Sequence, residues 1–175
     1  MELSKTIGEQ SIVGVKVDLA TQCKAQGNEA FKSKEFRRAE GYYKKGLQFL
    51  EAPQTCQYSQ EELMTVGPVL ATLHVNIAAC CLQGSTVDSA KCILHCTQAI
   101  KHDPLNVKAW YRRSQAFMKQ KEFALAKDDV THALGLDQQP STSIVTLRRH
   151  LVALQAASAK VKAAEIASFQ HIFRS

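Results

Sequence analysis

The feature that most narrows what this chain can become is that it copies itself. Asn76 to Asp137 reads as four consecutive amphipathic helices whose second half repeats the first. Ala99 to Pro104 (AIKHDP) closes one unit, and after Leu105 a new helix starts at Asn106. Gly135 to Asp137 closes the next unit in the same way, with Ala133 in the place of Ala99, 34 residues further on. A repeat of that length is a helix–turn–helix unit that hides its apolar face only by stacking on a neighbour. Within the unit, the large Trp110, Phe117 and Phe123 alternate with the small Ser114, Ala126 and Ala133, as interlocking knobs and holes require.

With that unit as a ruler the rest of the chain divides. Asp18 is a good N-cap, and Ala20, Cys23, Gly27, Ala30 and Phe31 follow at helical spacing. A second helix from about Glu35 to Leu50 carries Phe36, Ala39, Tyr43, Gly46 and Leu47 inward, which makes a first repeat over about 19–51. A long link, 51–68, then breaks the period. Pro53, Gln54, Thr55, Gly67 and Pro68 are loop formers there, although Ser59 to Glu62 offers a local helix start. The second repeat is expected over 69–104, with a turn at Gly84 to Asp88 two residues longer than the repeat needs, and the third over 106–138. Ile144, Leu147, Leu151, Leu154, Ala157, Val161 and Ala164 predict one long helix within 141–175, capping the last repeat and projecting beyond it. Residues 1–17 read as a flexible or extended lead-in. The expected fold class is all-α: a right-handed alpha-alpha superhelix of three helical hairpins over 18–140, plus a long C-terminal capping helix.

Composition adds limits. At 175 residues the chain suits one domain with a real core, and its net charge of +6 suits an acidic partner. No run reaches the roughly 18 apolar residues of a membrane span. Glu2, Lys5, Glu9 and Lys16 interrupt the start, so no secretory signal is expected. The cysteines Cys23, Cys56, Cys80, Cys81, Cys92 and Cys96 fall mainly at small-residue positions of repeat helices. They read as reduced packing residues of a cytoplasmic protein.

A right-handed stack of hairpins places the first helix of each unit on a concave inner surface. Those helices carry Lys24 and Asn28, then Asn76, then Lys108 and Arg112, each pair four apart and so on one face. Asn is a mediocre residue inside a helix, so Asn28 and Asn76 want a reason. Three cations and two amides in one groove suit a doubly charged anion. Lys is a movable ammonium, Arg a rigid fork and Asn a neutral donor that orients.

The 34-residue unit together with Lys24-x-x-x-Asn28, Asn76 and Lys108-x-x-x-Arg112 resembles the two-carboxylate clamp of tetratricopeptide repeat (TPR) co-chaperones. The resemblance covers roughly Leu19 to Ser175. It implies a groove that grips the terminal and side-chain carboxylates of a final Asp, at the Glu-Glu-Val-Asp tails of ninety- and seventy-kilodalton cytosolic heat-shock chaperones. It also implies that Lys24, Asn28, Asn76 and Lys108 hold the last residue while Arg112 reaches further along the peptide. Apolar pockets beside the clamp would fall at Phe31, Ala79 and Tyr111. The lengthened link and a terminal helix ending in Phe169 and Phe173 resemble the repeat domain of large immunophilins. The longer turn at Gly84 to Asp88 is similar to the tetratricopeptide repeat protein 9 family, small stand-alone clamps. Gln138 stands where the family's third repeat usually ends in proline.

Other chemistries have less behind them. Cys92 and Cys96 with His95, and Cys80-Cys81 on the adjoining helix, suggest zinc. Yet Cys92 and Cys96 occupy small packing positions, so no metal or cofactor is expected. No Ser–His–Asp grouping or phosphate loop points to an enzyme. Arg148, Arg149, His150, Lys160 and Lys162 make the last helix basic, read as a solvated face rather than a membrane or calmodulin site. Three repeats are too few for a nucleic-acid code. The alternative is a repeat scaffold that uses its convex face or last helix. Oligomeric state is left open.

Overall fold

The computed structural model describes residues 12–51, 58–83, 87–136 and 142–172, the side chains of 142–144 and 169–172 excepted. Among them are seven helices and no strand. Ile12–Lys32 (α1) and Phe36–Leu50 (α2) form a first hairpin, Gln60–Gln83 (α3) and Ser89–His102 (α4) a second, Val107–Lys119 (α5) and Phe123–Leu136 (α6) a third. A long helix, Thr142–Ile172 (α7), follows. Each helix packs on the next along the chain, and α1, α3 and α5 also touch in order, so the three first helices lie side by side.

Small residues make this stacking possible. Ala20, Cys23, Gly27 and Ala30 of α1 are buried against Ala39, Tyr43, Leu47 and Leu50 of α2 and the apolar face of α3. In the third hairpin Ser114, Ala126 and Ala133 are fully buried, and Trp110, Phe117 and Phe123 pack around them with Leu147 and Leu154 of α7. The alternation of large and small side chains read in the repeat is the alternation that packs. Two of the tight turns use one device. Lys34 and Lys121 adopt left-handed backbone (φ 61 and 64), and the next amide in each reaches back five residues, Glu35 to Ala30 and Glu122 to Phe117. This closes the helix end in the Schellman manner, at a strain of about 1 kcal/mol for a residue with a Cβ.

Three boundaries differ from the sequence reading. First, α1 begins at Ile12, so the end of the expected lead-in is helical, with Val13 and Val17 packed on the first core; residues 1–11 lie outside the described residues. Second, α3 begins at Gln60 rather than Val69. Ser59 and Glu62 form a reciprocal capping box: the Ser59 amide donates to Glu62 Oε2 (2.7 Å) and the Glu62 amide to Ser59 Oγ (3.3 Å). The helix then runs through Gly67-Pro68, because Val66, Gly67, Ala71 and Leu73 bury their faces and outweigh one lost amide donor. Third, only part of the expected link remains irregular. Tyr58 donates its hydroxyl to the Leu50 carbonyl (2.8 Å), while Pro53, Gln54, Thr55 and Cys56 lie outside the described residues, as do Gly84 to Thr86, Gln138 and Phe173. By contrast Asn106 caps α5 as expected, its Oδ1 accepting from the Ala109 amide (3.2 Å). α3 is long and apolar enough by composition to cross a membrane, although its apolar residues do not form an unbroken run. Leu73, Ile77 and Ala78 are fully buried core residues, whereas Leu63 and Met64 near the helix start are exposed.

The third hairpin also carries a buried ion pair. Arg113 of α5 donates Nε and Nη2 to the two oxygens of Asp129 on α6 (2.8 Å each), and Nη1 to Thr97 of α4 (3.2 Å). Its guanidinium lies 4.8 Å from the Trp110 ring. One side chain thus ties three helices together. The inner face of α7 is spent by Val161: Leu147 and Leu154 are buried, and residues 162–168 are exposed.

Candidate peptide-binding groove

Setting α1, α3 and α5 side by side brings Asn28, Phe31, Tyr43, Asn76, Ala79 and Arg112 to one cavity of about 600 Å³. Five of these eight expected positions, Asn28, Phe31, Asn76, Ala79 and Arg112, therefore meet. Lys24 and Lys108 do not line the cavity itself. Each stands four residues, one helical turn, before Asn28 or Arg112 on the same helix face, Lys24 half-buried and Lys108 exposed. Tyr111 is elsewhere. Its ring meets His150 of α7 edge-on at 5.2 Å, so its position on α5 turns it toward the third hairpin and away from Phe31 and Ala79. No described residue of the link lines the cavity.

The polar groups are held in defined poses. Tyr43 donates its hydroxyl to Asn28 Oδ1 (2.9 Å), and Asn76 donates Nδ2 to the same oxygen (3.3 Å). Arg112 donates Nη1 to the Val75 carbonyl (2.7 Å), which anchors its stem across the α3–α5 contact. Burial pulls the Arg112 pKa below its ordinary value, against the opposing influence of the Cys96, Cys92, Cys80 and Tyr43 groups, though an arginine stays charged regardless. The one carboxylate on the cavity rim, Glu29, is engaged by Lys32 (2.8 Å). Among the described residues no carboxylate pairs with Lys24, Lys108 or Arg112. Among the described residues the groove is a set of donors and cations whose one carboxylate, Glu29, is already paired.

The five described cysteines are free and buried. Burial raises the Cys80 and Cys81 thiols to about 12 and about 11, keeping them protonated as small packing groups. Cys92 Sγ lies 4.0 Å from Cys96 Sγ and reaches the Arg112 carbonyl, whereas His95 turns to His74. Among the described residues no three His, Cys, Asp or Glu side chains are placed to hold a metal ion.

Two features escaped the sequence reading. Tyr43 was assigned to packing alone, although an Asn inside the facing helix was already a sign that some partner must hold it. The second is a histidine cluster. His74 Nδ1 lies 2.9 Å from His95 Nδ1, and the His102 ring stacks on His74 with centroids 6.2 Å apart. Burial first, then the His95 and His102 charges, pushes His74 down to about 4, and burial lowers His95 and His102 as well. A folded pKa below the unfolded value means the unfolded chain binds more protons between pH 6.5 and 4. Stability is therefore full above pH 6.5 and falls with acid, by up to about 3 kcal/mol from His74. Urea unfolding at a series of pH values is expected to show this slope, and His74→Leu to flatten it; parallel curves for the two proteins would refute the assignment.

No family model matches the chain. The Hsp70/Hsp90 co-chaperone CNS1 of Saccharomyces cerevisiae is 34% identical over 116 residues, 66% of this chain and 26% of that protein. The C-terminal TPR-containing domain of a Plasmodium falciparum FK506-binding protein superposes with a TM-score of 0.71 at 28% identity, covering 89% of this chain and 99% of that one. The chain has the fold of a co-chaperone TPR domain. The second TPR domain of Spaghetti (RPAP3), bound in its structure to the HSP90 peptide SRMEEVD, is 26% identical with a TM-score of 0.58, covering 71% of this chain and 97% of that one. The chain spans about a quarter to two fifths of the curated relatives it matches, 26% of CNS1 and 39% of a mouse TOM34.

Proposed function

We propose that this TPR domain is an adaptor that docks the acidic C-terminal peptide of a 90-kDa or 70-kDa heat-shock chaperone in the α1–α3–α5 groove. It acts by binding and not by catalysis, in the cytoplasm. The observation that carries the reading is the convergence of Asn28, Asn76 and Arg112 on one cavity that holds no free carboxylate. Lys24 and Lys108, one turn away on the same faces, supply the further charge that a terminal Asp with two carboxylates demands. Phe31 and Ala79 offer the apolar wall for the residue before it. The likeness to a domain bound to the HSP90 peptide SRMEEVD supports the choice of ligand.

Each charge-assisted hydrogen bond to a carboxylate contributes about 1.5–3 kcal/mol. Ordering a flexible tail costs several kcal/mol, so the net free energy is on the order of −8 kcal/mol, about micromolar. Calorimetric titration with Met-Glu-Glu-Val-Asp as the free acid is expected to give that affinity, weakening as salt screens the open groove. The same peptide with an amidated C-terminus is expected to bind far more weakly. Equal binding of acid and amide overturns the proposal.

A further inference from the structure

We infer that Tyr43, a residue of the second helix and outside the set of groove cations and amides, is a positioning residue of the groove: its hydroxyl sets the Asn28 amide so that the Nδ2 donors face the ligand. The inference rests on the tail-binding reading and adds to it the group that orients one of the ligand-holding residues.

Position 43 is a core position. Tyr43 is 2% exposed and sits in the first apolar cluster, a role that phenylalanine fills as well. What phenylalanine lacks is the hydroxyl, and the chain makes room for its placement. A Cβ built on Gly27 would stand 2.4 Å from Tyr43 Cε1 and 2.9 Å from Cζ. Only glycine at position 27 lets the ring pass beneath α1 and surface at the cavity one residue further on, where the hydroxyl meets Asn28.

The acceptor side is equally specific. Asn28 Oδ1 takes the Tyr43 hydroxyl at 2.9 Å and Asn76 Nδ2 at 3.3 Å, which uses both lone pairs of a carbonyl oxygen. With its oxygen engaged, the amide can offer only N–H outward. A carboxylate only accepts, so an asparagine that turned its oxygen outward would repel the ligand it is meant to hold. Asn76 alone holds Asn28 by the longer of the two bonds. Tyr43 is therefore the stronger restraint on the flip, and burial pushes its pKa up to about 12, so the donor proton stays in place through neutral pH. Asn28 equally satisfies a buried hydroxyl that would otherwise lack a partner. The experiment separates these two directions of dependence.

Wild type, Tyr43→Phe, Asn28→Ala and the double variant are titrated calorimetrically with the Met-Glu-Glu-Val-Asp free acid, and their urea midpoints are compared. The Asn28 side-chain amide is followed by nitrogen–proton NMR in the free protein. Tyr43→Phe is expected to weaken the peptide about fivefold with little change in the urea midpoint, the effect of one hydrogen bond. Added to Asn28→Ala, it is expected to do nothing further. The two Asn28 amide proton signals are expected to shift in Tyr43→Phe, as the hydrogen bond to Oδ1 is lost. Unchanged affinity and unchanged amide signals overturn the inference. So does an equal loss of affinity in both backgrounds, which marks a general effect on packing. If wild-type protein takes acid and amidated peptide alike, the tail-binding reading fails on that evidence, while the NMR comparison still decides whether Tyr43 holds Asn28.

Discussion

Replacing Asp129 by alanine is expected to lower the unfolding free energy by about 3–5 kcal/mol, read as a drop in the urea midpoint at constant slope. The reason is the state in which it leaves Arg113. The side chains of the pair are 17% and 6% exposed, joined by two 2.8 Å bonds, and the Asp129 bond is the main influence raising the Arg113 pKa. Removing one member of a buried pair strands the other charge, and the penalty is the desolvation of that charge rather than the worth of the bond. Trp110 above the guanidinium recovers a fraction of it, and Thr97 keeps its single contact. Asp129→Asn, which keeps an acceptor in place, is expected to fall between wild type and alanine. A loss below about 1 kcal/mol for alanine, the range of an exposed pair, would contradict the burial of the pair.

Lys108→Ala is expected to weaken free-acid tail binding by about tenfold to hundredfold, with the urea midpoint unchanged. The magnitude is that of one charge-assisted hydrogen bond to a carboxylate. Lys108 is the clean probe because it is exposed and no described carboxylate pairs with it, so its removal leaves no buried partner stranded. Arg112→Ala mixes two effects, since Arg112 also donates to the Val75 carbonyl across the α3–α5 contact. Lys108→Arg is expected to retain part of the affinity, as a cation of different shape. Unchanged binding by Lys108→Ala sinks its role in the groove.

Much of this was legible because a repeat converts spacing into geometry. The period linking Ala99 and Ala133 set the hairpins, and side chains four apart on first helices share a face, which with the family pattern pointed to Asn28, Asn76 and Arg112; Lys24 and Lys108, on the same faces, stand outside the cavity. Boundaries were less legible where two local signals competed. At Gly67-Pro68 the breaker signal was read as the loop, while the capping box at Ser59 and the burial of Val66 and Ala71 outweighed it. The lead-in was misplaced for a related reason: Gly14 masked the helical spacing of Val13 and Val17. Pairings across helices left no mark in the spacing at all. Tyr43 to Asn28, Arg113 to Asp129 and His74 to His95 join residues 15, 16 and 21 apart, and only the tilt of one helix on the next decides them.

The order of packing has a consequence for the first hairpin. The second lies between neighbours and the third is closed by α7, whereas α1 and α2 have a described neighbour on one side only, at α3. Lys24 and Asn28 thus ride on the least braced member of the row. In the proposed binding mode a ligand bridging them to Asn76 and Lys108 would act as a rivet across that seam, coupling occupancy of the groove to order at the open end of the stack.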